Sequence, residues 1–349
     1  MQTISDTFCD THVVSYCCNG GTTMKSIKTF LLQIFMMAFL LPAMLLGAAR
    51  FDLWNTDLSG PRFTLQAYSV AVNWGTEQTV MDLETYVCGV VLAEMPAEFE
   101  EEALKAQAVV ARTFAWKAVT TGGKHGDHSL CINSSCCQGY VSEENYIRYY
   151  GTEEEVKKIR NAVQATAGTV VTYGGELIEA TYFSSSGGYT EDAAAVWGND
   201  YPYLAAKESP EEEPEGEQSK AFSAAYLEEA LHTRLGDNPE AWFHDWQFTN
   251  GGGVAGVGIG NRTFSGTELR KALDLRSTRF SVTIENDVVF FHTRGYGHRV
   301  GMSQYGADAM ALEGKTYEEI LQYYYTGTEL KTIPELEEEN QSFPGINHQ

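Results

Sequence analysis

Pro96 stands at the joint of the most strongly patterned stretch in the chain, Tyr86 to Phe114, and divides it into two helical segments. Before it, Leu83, Val87, Val90 and Val91 recur at helical spacing between Asp82 and Ala93. Proline lacks an amide proton and disfavours helical geometry in the residue before it, so Met95 should close the first helix. Proline also suits the first turn of a new helix, and the second is expected from about Ala97 to Val119. Glu98, Glu100, Glu101 and Glu102 fill its early turns and Lys105, Arg112 and Lys117 its later ones, the order that a helix dipole favours. Phe99, Ala103, Ala106, Val110 and Phe114 form a stripe of mostly small apolar residues fit for close packing. Glu98, Glu101, Lys105 and Arg112 line another face, with Glu101 and Lys105 spaced for an i,i+4 pair.

Glu94 departs from the pattern. It follows Val90-Val91-Leu92-Ala93 and precedes Met95, so a carboxyl group sits among apolar neighbours. Partial burial raises a carboxyl pKa and turns a glutamic acid into a general acid near neutral pH. The plainer reading is a helix-end carboxylate that caps the next helix.

The two helices together carry Val90-Val91-Leu92-Ala93-Glu94-Met95-Pro96 and Glu102-Ala103-Leu104-Lys105-Ala106-Gln107-Ala108-Val109-Val110-Ala111-Arg112-Thr113. This signature resembles that of the stage II sporulation protein D family, which is related to amidase-enhancer proteins. Three later blocks fit in the same order: Tyr182 to Thr190, Phe264 to Arg270 with Leu275 to Thr278, and Gly295 to Ala307. The resemblance spans roughly Phe63 to Leu330. It implies a peptidoglycan lytic transglycosylase of spore engulfment, with Glu94 as its acid and an amidase or endopeptidase as partner. It further implies substrate contacts from Lys105 and Arg112, from Ser184, Ser185, Ser186 and Tyr201, and from His298, Ser303, Gln304 and Tyr305. In the family the residue after the loop histidine is usually glycine. Here it is Arg299, which is expected to add a cation to the groove.

Charge sets a condition on that reading. The chain has 24 basic and 47 acidic residues, a net charge of −23, which argues against nonspecific nucleic-acid binding. An anionic cell wall then requires a locally positive groove.

Phe30 to Ala49 is almost uninterrupted apolar sequence, preceded by Lys25 and Lys28 and followed by Arg50. Roughly 20 such residues span a bilayer, and the flanking charges keep the N-terminus in the cytoplasm. The segment reads as an uncleaved single-pass anchor, with a signal peptide cut near Leu46-Gly47-Ala48-Ala49 as its competitor. Either way the bulk of the chain is exported from the cytoplasm. Residues 1–23 hold Cys9, Cys17 and Cys18 and no Lys or Arg, and Met24 looks like an ordinary start for an exported bacterial protein.

His125, His128, Cys131, Cys136 and Cys137 lie within one short loop. Imidazole and thiolate at this density suit tetrahedral zinc. The preferred ligands are His125, Cys131, Cys136 and Cys137, with His128 as substitute, and four protein ligands make the site structural. A disulfide from Cys131 to Cys136 or Cys137 is the alternative in an oxidising compartment. Downstream, Ser184-Ser185-Ser186-Gly187-Gly188 ends a strand running from Ile178, and its hydroxyls and amides can bind sugar groups or simply form a turn. Trp197 and Tyr201 are candidates for stacking on a sugar ring, or for the core.

The expected architecture is α+β: a helical Glu94 unit packed on antiparallel strands, two-lobed with a glycan groove. Residues 24–49 form the anchor, 50–206 the catalytic lobe, 207–220 an acidic loop, 221–331 a second lobe, and 332–349 a disordered tail. Among candidate chemistries, glycoside hydrolysis needs two carboxylates, and no second one is paired by motif with Glu94. Rival readings are a glycan-binding amidase enhancer and a zinc hydrolase at the His125–Cys137 loop.

Overall fold

The computed structural model describes residues 68–210 and 217–342. The leader at 1–23 and the apolar segment at 24–49 lie outside them. Among the described residues no helix is long and apolar enough to cross a membrane.

Strands β1 (Ser69–Asn73) and β2 (Gln78–Asp82) form an antiparallel hairpin. Asp82 then caps helix α1 (Leu83–Glu94) by accepting from the Thr85 amide at 2.9 Å. Leu83, Val87, Val90 and Val91 are all buried, as their spacing requires. Met95 is extended, with φ −132° and ψ 134°, the conformation imposed by Pro96. The second helix starts later than its sequence indicates. The Phe99 amide bonds the Pro96 carbonyl at 3.2 Å, residues 97–99 make a turn, and α2 runs Glu101–Thr121. Its small face, with Ala103, Ala106 and Val110, is wholly buried. Gly122, at φ 90°, ends it.

Beyond this come β3 (Ser129–Cys131), parallel to β1, and helices α3 (Glu143–Tyr149) and α4 (Glu153–Ala165). Thr152 and Glu155 form a capping box for α4. Strands β4 (Thr169–Tyr173) and β5 (Glu176–Leu177) turn through Gly174 and Gly175. The strand expected from Ile178 shrinks to β6 (Tyr182–Phe183), and α5 (Ala193–Trp197) follows. These elements share one apolar core in which α2 touches α1, α4 and β4.

A second core lies between β7 (Gln218–Ser223), α6 (Ala224–Leu231), β8 (Phe243–Phe248), β9 (Val254–Ile259), β10 (Arg262–Phe264), α7 (Gly266–Ala272), β11 (Arg279–Glu285) and β12 (Val288–Arg294). Its sheets run β10-β9-β8 and β11-β12-β7, antiparallel throughout. Leu227, Trp242, Val257, Ile259, Phe280 and Phe291 fill it.

The boundary expected at 331 moves. After Arg294 the chain returns to the first core, where Val300, Met302, Ala307, Met310 and Ile320 are buried. Strand β13 (Met302–Ser303) pairs in parallel with β6, and α8 (Gln304–Leu312) and α9 (Tyr317–Tyr324) pack on α2. The tail is also corrected. β14 (Glu329–Thr332) pairs with β4, and α10 (Ile333–Ser342) buries Ile333 and Leu336. Glu335 and Glu338 beside that apolar pair are exposed, which a count of charge alone conceals. At the acidic loop, residues 211–216 lie outside the description. Its flanks are held, because the Ser209 and Tyr324 hydroxyls bond at 2.7 Å in the core.

Candidate active site

Glu94 is the last residue of α1, and its half-buried carboxylate points at the loop that follows β3. There Oε1 accepts from the Gly139 amide at 2.5 Å. Burial raises the Glu94 pKa, and the Gly139 amide works against that rise. A Cβ at position 139 would lie 2.8 Å from Oε1, so a larger residue there would push the carboxylate aside. The Glu94 backbone is clamped as well: Gln304 Nε2, at the start of α8, donates to its carbonyl at 3.0 Å.

Behind Glu94 runs a short relay. The Tyr86 hydroxyl donates to Gln138 Oε1 at 3.4 Å, and Gln138 Nε2 donates to the Tyr182 hydroxyl at 3.3 Å. Burial and then the Glu94 charge hold the Tyr182 phenol well above its ordinary value, so it stays protonated.

Glu94 opens into a cavity of about 770 Å³ lined by residues of four segments: Cys136 to Gln138, Ala180 to Ser184, Tyr296 to His298, and Gln304 with Tyr305. Trp197, Lys124 and Arg270 are also part of the wall. Among the described lining residues Glu94 is the one carboxylate. His298 lies edge-on to Phe183 at 5.7 Å and against Trp197 at 5.1 Å. Its Nδ1 accepts from the Val300 amide at 3.1 Å. Burial, then the nearby Arg270 charge, lowers its pKa to about 4, against a bond to the Tyr182 backbone and with help from Lys124. The ring is therefore neutral at pH 7.

The structure brings together Glu94, Ser184, His298, Gln304 and Tyr305 on the cavity wall, and leaves other expected substrate contacts elsewhere. Lys105 pairs with Glu101 at 2.8 Å and Glu102 at 2.7 Å, away from the cavity. Arg112 is fully buried, paired with Glu84 at 2.6 Å and bonded to the Val163 and Thr169 carbonyls, so it ties α1 and α2 to β4. Ser185 and Ser186 are buried: Ser185 bonds the Tyr296 backbone, and the Ser186 hydroxyl accepts from Gly188. Ser303 caps α8, and Tyr201 packs on Tyr203. Arg299 adds no cation to the cavity. It is wholly buried and pairs with Glu191 at 3.1 Å. Its φ of 65° is the left-handed conformation that suits glycine, here carried by a side chain whose guanidinium donates to four oxygens, those of Ser186, Glu191, Tyr189 and Gly251.

The family model described as Stage II sporulation protein matches residues 75–173, which include Glu94, α2 and Gly139. Stage II sporulation protein D of Bacillus subtilis (strain 168) is 41% identical over 254 residues, covering 71% of this chain and 74% of that protein. The chain belongs to the stage II sporulation protein D family. Stage II sporulation protein D of Bacillus amyloliquefaciens is 37% identical, with the same shares covered. The amidase enhancer of Bacillus subtilis (strain 168) is 29% identical over 69% of this chain and 40% of that protein.

In this member of the stage II sporulation protein D family the Cys/His loop runs straight into the Glu94 site. His125, Cys131, Cys136 and Cys137 bring one ligand atom each to within 4.8 Å of one another. Cys136 Sγ lies 3.8 Å and Cys137 Sγ 3.4 Å from His125 Nε2. Tetrahedral zinc with Zn–S of about 2.3 Å and Zn–N of about 2.0–2.1 Å demands sulfur–nitrogen edges of about 3.5–3.6 Å. The donor set fits such an ion. His128 is not part of it: its Nδ1 lies 2.6 Å from the Val119 carbonyl oxygen. The four described cysteines are free thiols. Burial opposes ionisation of Cys131, but the Asn133 amide and the His125, Cys136 and Cys137 side chains bring it down to about 7. Burial pushes Cys137 up to about 12. Ionising all the thiols together needs a cation among them.

Sequence reasoning missed Gly139, Gln138, Tyr182 and Arg270. Gly139 follows the cysteine pair closely, and that proximity was the available signal. Nothing in the spacing of Arg270 or Tyr182 marks them.

Proposed function

We propose that this protein is an exported, membrane-anchored lytic transglycosylase that acts on peptidoglycan during sporulation. The observation that carries this reading is Glu94 as the one carboxylate among the described residues lining the cavity. Hydrolysis through paired carboxylates has no second partner there. A transglycosylase needs one group that acts twice. Protonated Glu94, its pKa raised by burial, donates to the glycosidic oxygen on the far side of a muramic acid residue. The resulting carboxylate then takes the proton from the carbon-six hydroxyl of the same sugar. That oxygen bonds the anomeric carbon as the glycosidic bond breaks, leaving a 1,6-anhydro end with no water consumed. Neutral His298 and Trp197 form an apolar wall against which a sugar ring can stack.

The His125, Cys131, Cys136 and Cys137 cluster is assigned to structural zinc. With four protein ligands the ion has no open position, so its contribution is to fix the loop that presents Gly139 to Glu94. The carboxylate of Glu94 stays aligned because the loop is anchored on one side and Gln304 on the other.

The test is mass spectrometry of products from peptide-free glycan strands, wild type beside Glu94→Gln. Anhydro-ended fragments are expected from wild type alone. Anhydro product retained by Glu94→Gln would refute the assignment. The likeness to an amidase enhancer favours a second reading, in which the cavity binds glycan and stimulates an amidase without cutting. On that reading Glu94→Gln leaves amidase stimulation intact.

A further inference from the structure

In a chain with 47 acidic residues and 24 basic ones, many of the described cations pair with a carboxylate. Arg299 pairs with Glu191, Arg112 with Glu84, Arg160 with Glu143 and Lys117 with Glu179. Arg270 does not. It projects from α7 into the wall of the Glu94 cavity, and its Nε donates to the Arg276 carbonyl at 3.2 Å. Among the described residues no carboxylate pairs with it. The acid of its own segment, Asp274, points to solvent and is held by Lys220 at 2.6 Å. Burial lowers the Arg270 pKa, against the nearby Tyr296 and the charge of Asp274, the mark of a guanidinium partly stripped of water.

Lys124 is the second cation of the same wall, and no carboxylate pairs with it either among the described residues. Its ammonium donates to the Cys136 carbonyl. Both charges act on His298, the neutral ring on the same cavity wall. Neither is a cause of the Glu94 shift, which comes from burial and the Gly139 amide. The cavity therefore holds, besides the Glu94 carboxyl group, two cations that no carboxylate pairs among the described residues.

We propose that Arg270, supported by Lys124, is a specificity-determining residue that binds a carboxylate of the glycan strand beside the bond to be cut. This rests on the transglycosylase reading for the identity of the strand. A guanidinium offers parallel N–H donors that match a carboxylate in a two-pronged contact, and its fixed charge does not titrate near Glu94's working range. Such a carboxylate has two sources. One is the lactyl ether of a muramic acid residue whose stem peptide has been removed. The other is an acidic residue of an intact stem peptide.

The experiment uses the full chain in detergent and three strand preparations: peptide-free, peptide-bearing, and peptide-free with the lactyl carboxylate converted to its methyl ester. Binding is measured in a Glu94→Gln background, and KM and kcat in the wild-type background. A charge-assisted hydrogen bond contributes about 1.5–3 kcal/mol, so Arg270→Gln should weaken binding of the favoured strand roughly tenfold to hundredfold. KM should rise with kcat nearly unchanged, and Arg270→Lys should recover part of the loss. Methyl esterification should weaken wild-type binding to a similar extent and leave Arg270→Gln indifferent, which assigns the lactyl carboxylate. Loss of affinity confined to peptide-bearing strands assigns the stem. Equal affinity of wild type for all three strands overturns the proposal, and that arm stands even if Arg270→Gln fails to fold. Arg270-dependent binding without any turnover would leave this inference intact and remove the transglycosylase reading.

Discussion

Replacing Arg299 by glycine sets two terms of opposite sign against each other. The left-handed backbone at φ 65° costs a non-glycine residue about 1–2 kcal/mol, and glycine removes that cost. Against it stands the side chain. Arg299 donates to Glu191 Oε1 at 3.1 Å, to the Ser186 carbonyl at 2.9 Å, to the Tyr189 carbonyl at 2.7 Å and to the Gly251 carbonyl at 2.6 Å. Both members of the pair are wholly buried. Removing one partner of a buried ion pair costs about 3–5 kcal/mol because the other charge is left uncompensated. The net expectation is a loss of about 1–4 kcal/mol, the difference of those ranges. Urea unfolding followed by tryptophan fluorescence reads it directly. Glu191 also accepts from Thr249 and from the Gly253 amide, so Arg299→Gly should loosen the loop at 249–253 and the His298 loop together. The double variant Arg299→Gly with Glu191→Gln removes the stranded charge and should regain a measurable part of the loss. A single Arg299→Gly variant as stable as wild type would refute the argument, by showing that backbone relief outweighs the pair.

Three further outcomes follow from the site. Gly139→Ala pushes on Glu94 Oε1 and weakens the amide bond that lowers its pKa, so the alkaline limb of the pH–rate profile should move to higher pH while kcat falls. His298 is held neutral with a folded pKa of about 4 against an ordinary 6.5, so it contributes stability above pH 6.5 that is lost as pH falls towards 4. The size of that loss is about 3 kcal/mol, and a His298→Gln variant should show a flatter stability profile over that window. Chelation should release the His125–Cys137 loop, lower the Tm and abolish anhydro product, with zinc restoring both; unchanged Tm after complete metal removal, verified by elemental analysis, would show that the loop needs no ion.

Much of the α+β architecture was legible because periodicity and proline act locally. The spacing of Leu83, Val87, Val90 and Val91 located α1, and Pro96 ended it. The grouping of His125, Cys131, Cys136 and Cys137 was legible from density alone, and their four candidate donor atoms do converge. What stayed hidden was burial of charge. The Glu101–Lys105 pair was legible from its i,i+4 spacing, but Arg112, of the same helix and sign, crosses to Glu84 in the core. Arg299 was hidden for the same reason, since a cation in a glycine-flanked loop looks like a ligand for substrate until its carboxylate partner, 108 positions away, is found. The return of Val300 to Leu336 into the first core rests on parallel pairing of β13 with β6, a long-range contact without a local signature.

The second core has a topological consequence of its own. It is entered at β7 and left at β12, and these strands are neighbours, with Gln218 opposite Thr293. A segment whose two ends sit side by side behaves as an inserted cassette. It can be lengthened, trimmed or exchanged at its outer loops without moving the floor on which Glu94 rests. Arg270 belongs to the cassette, and Glu94 to the floor. If the cavity acts as proposed, evolution can retune what it recognises while leaving untouched the proton chemistry beneath it.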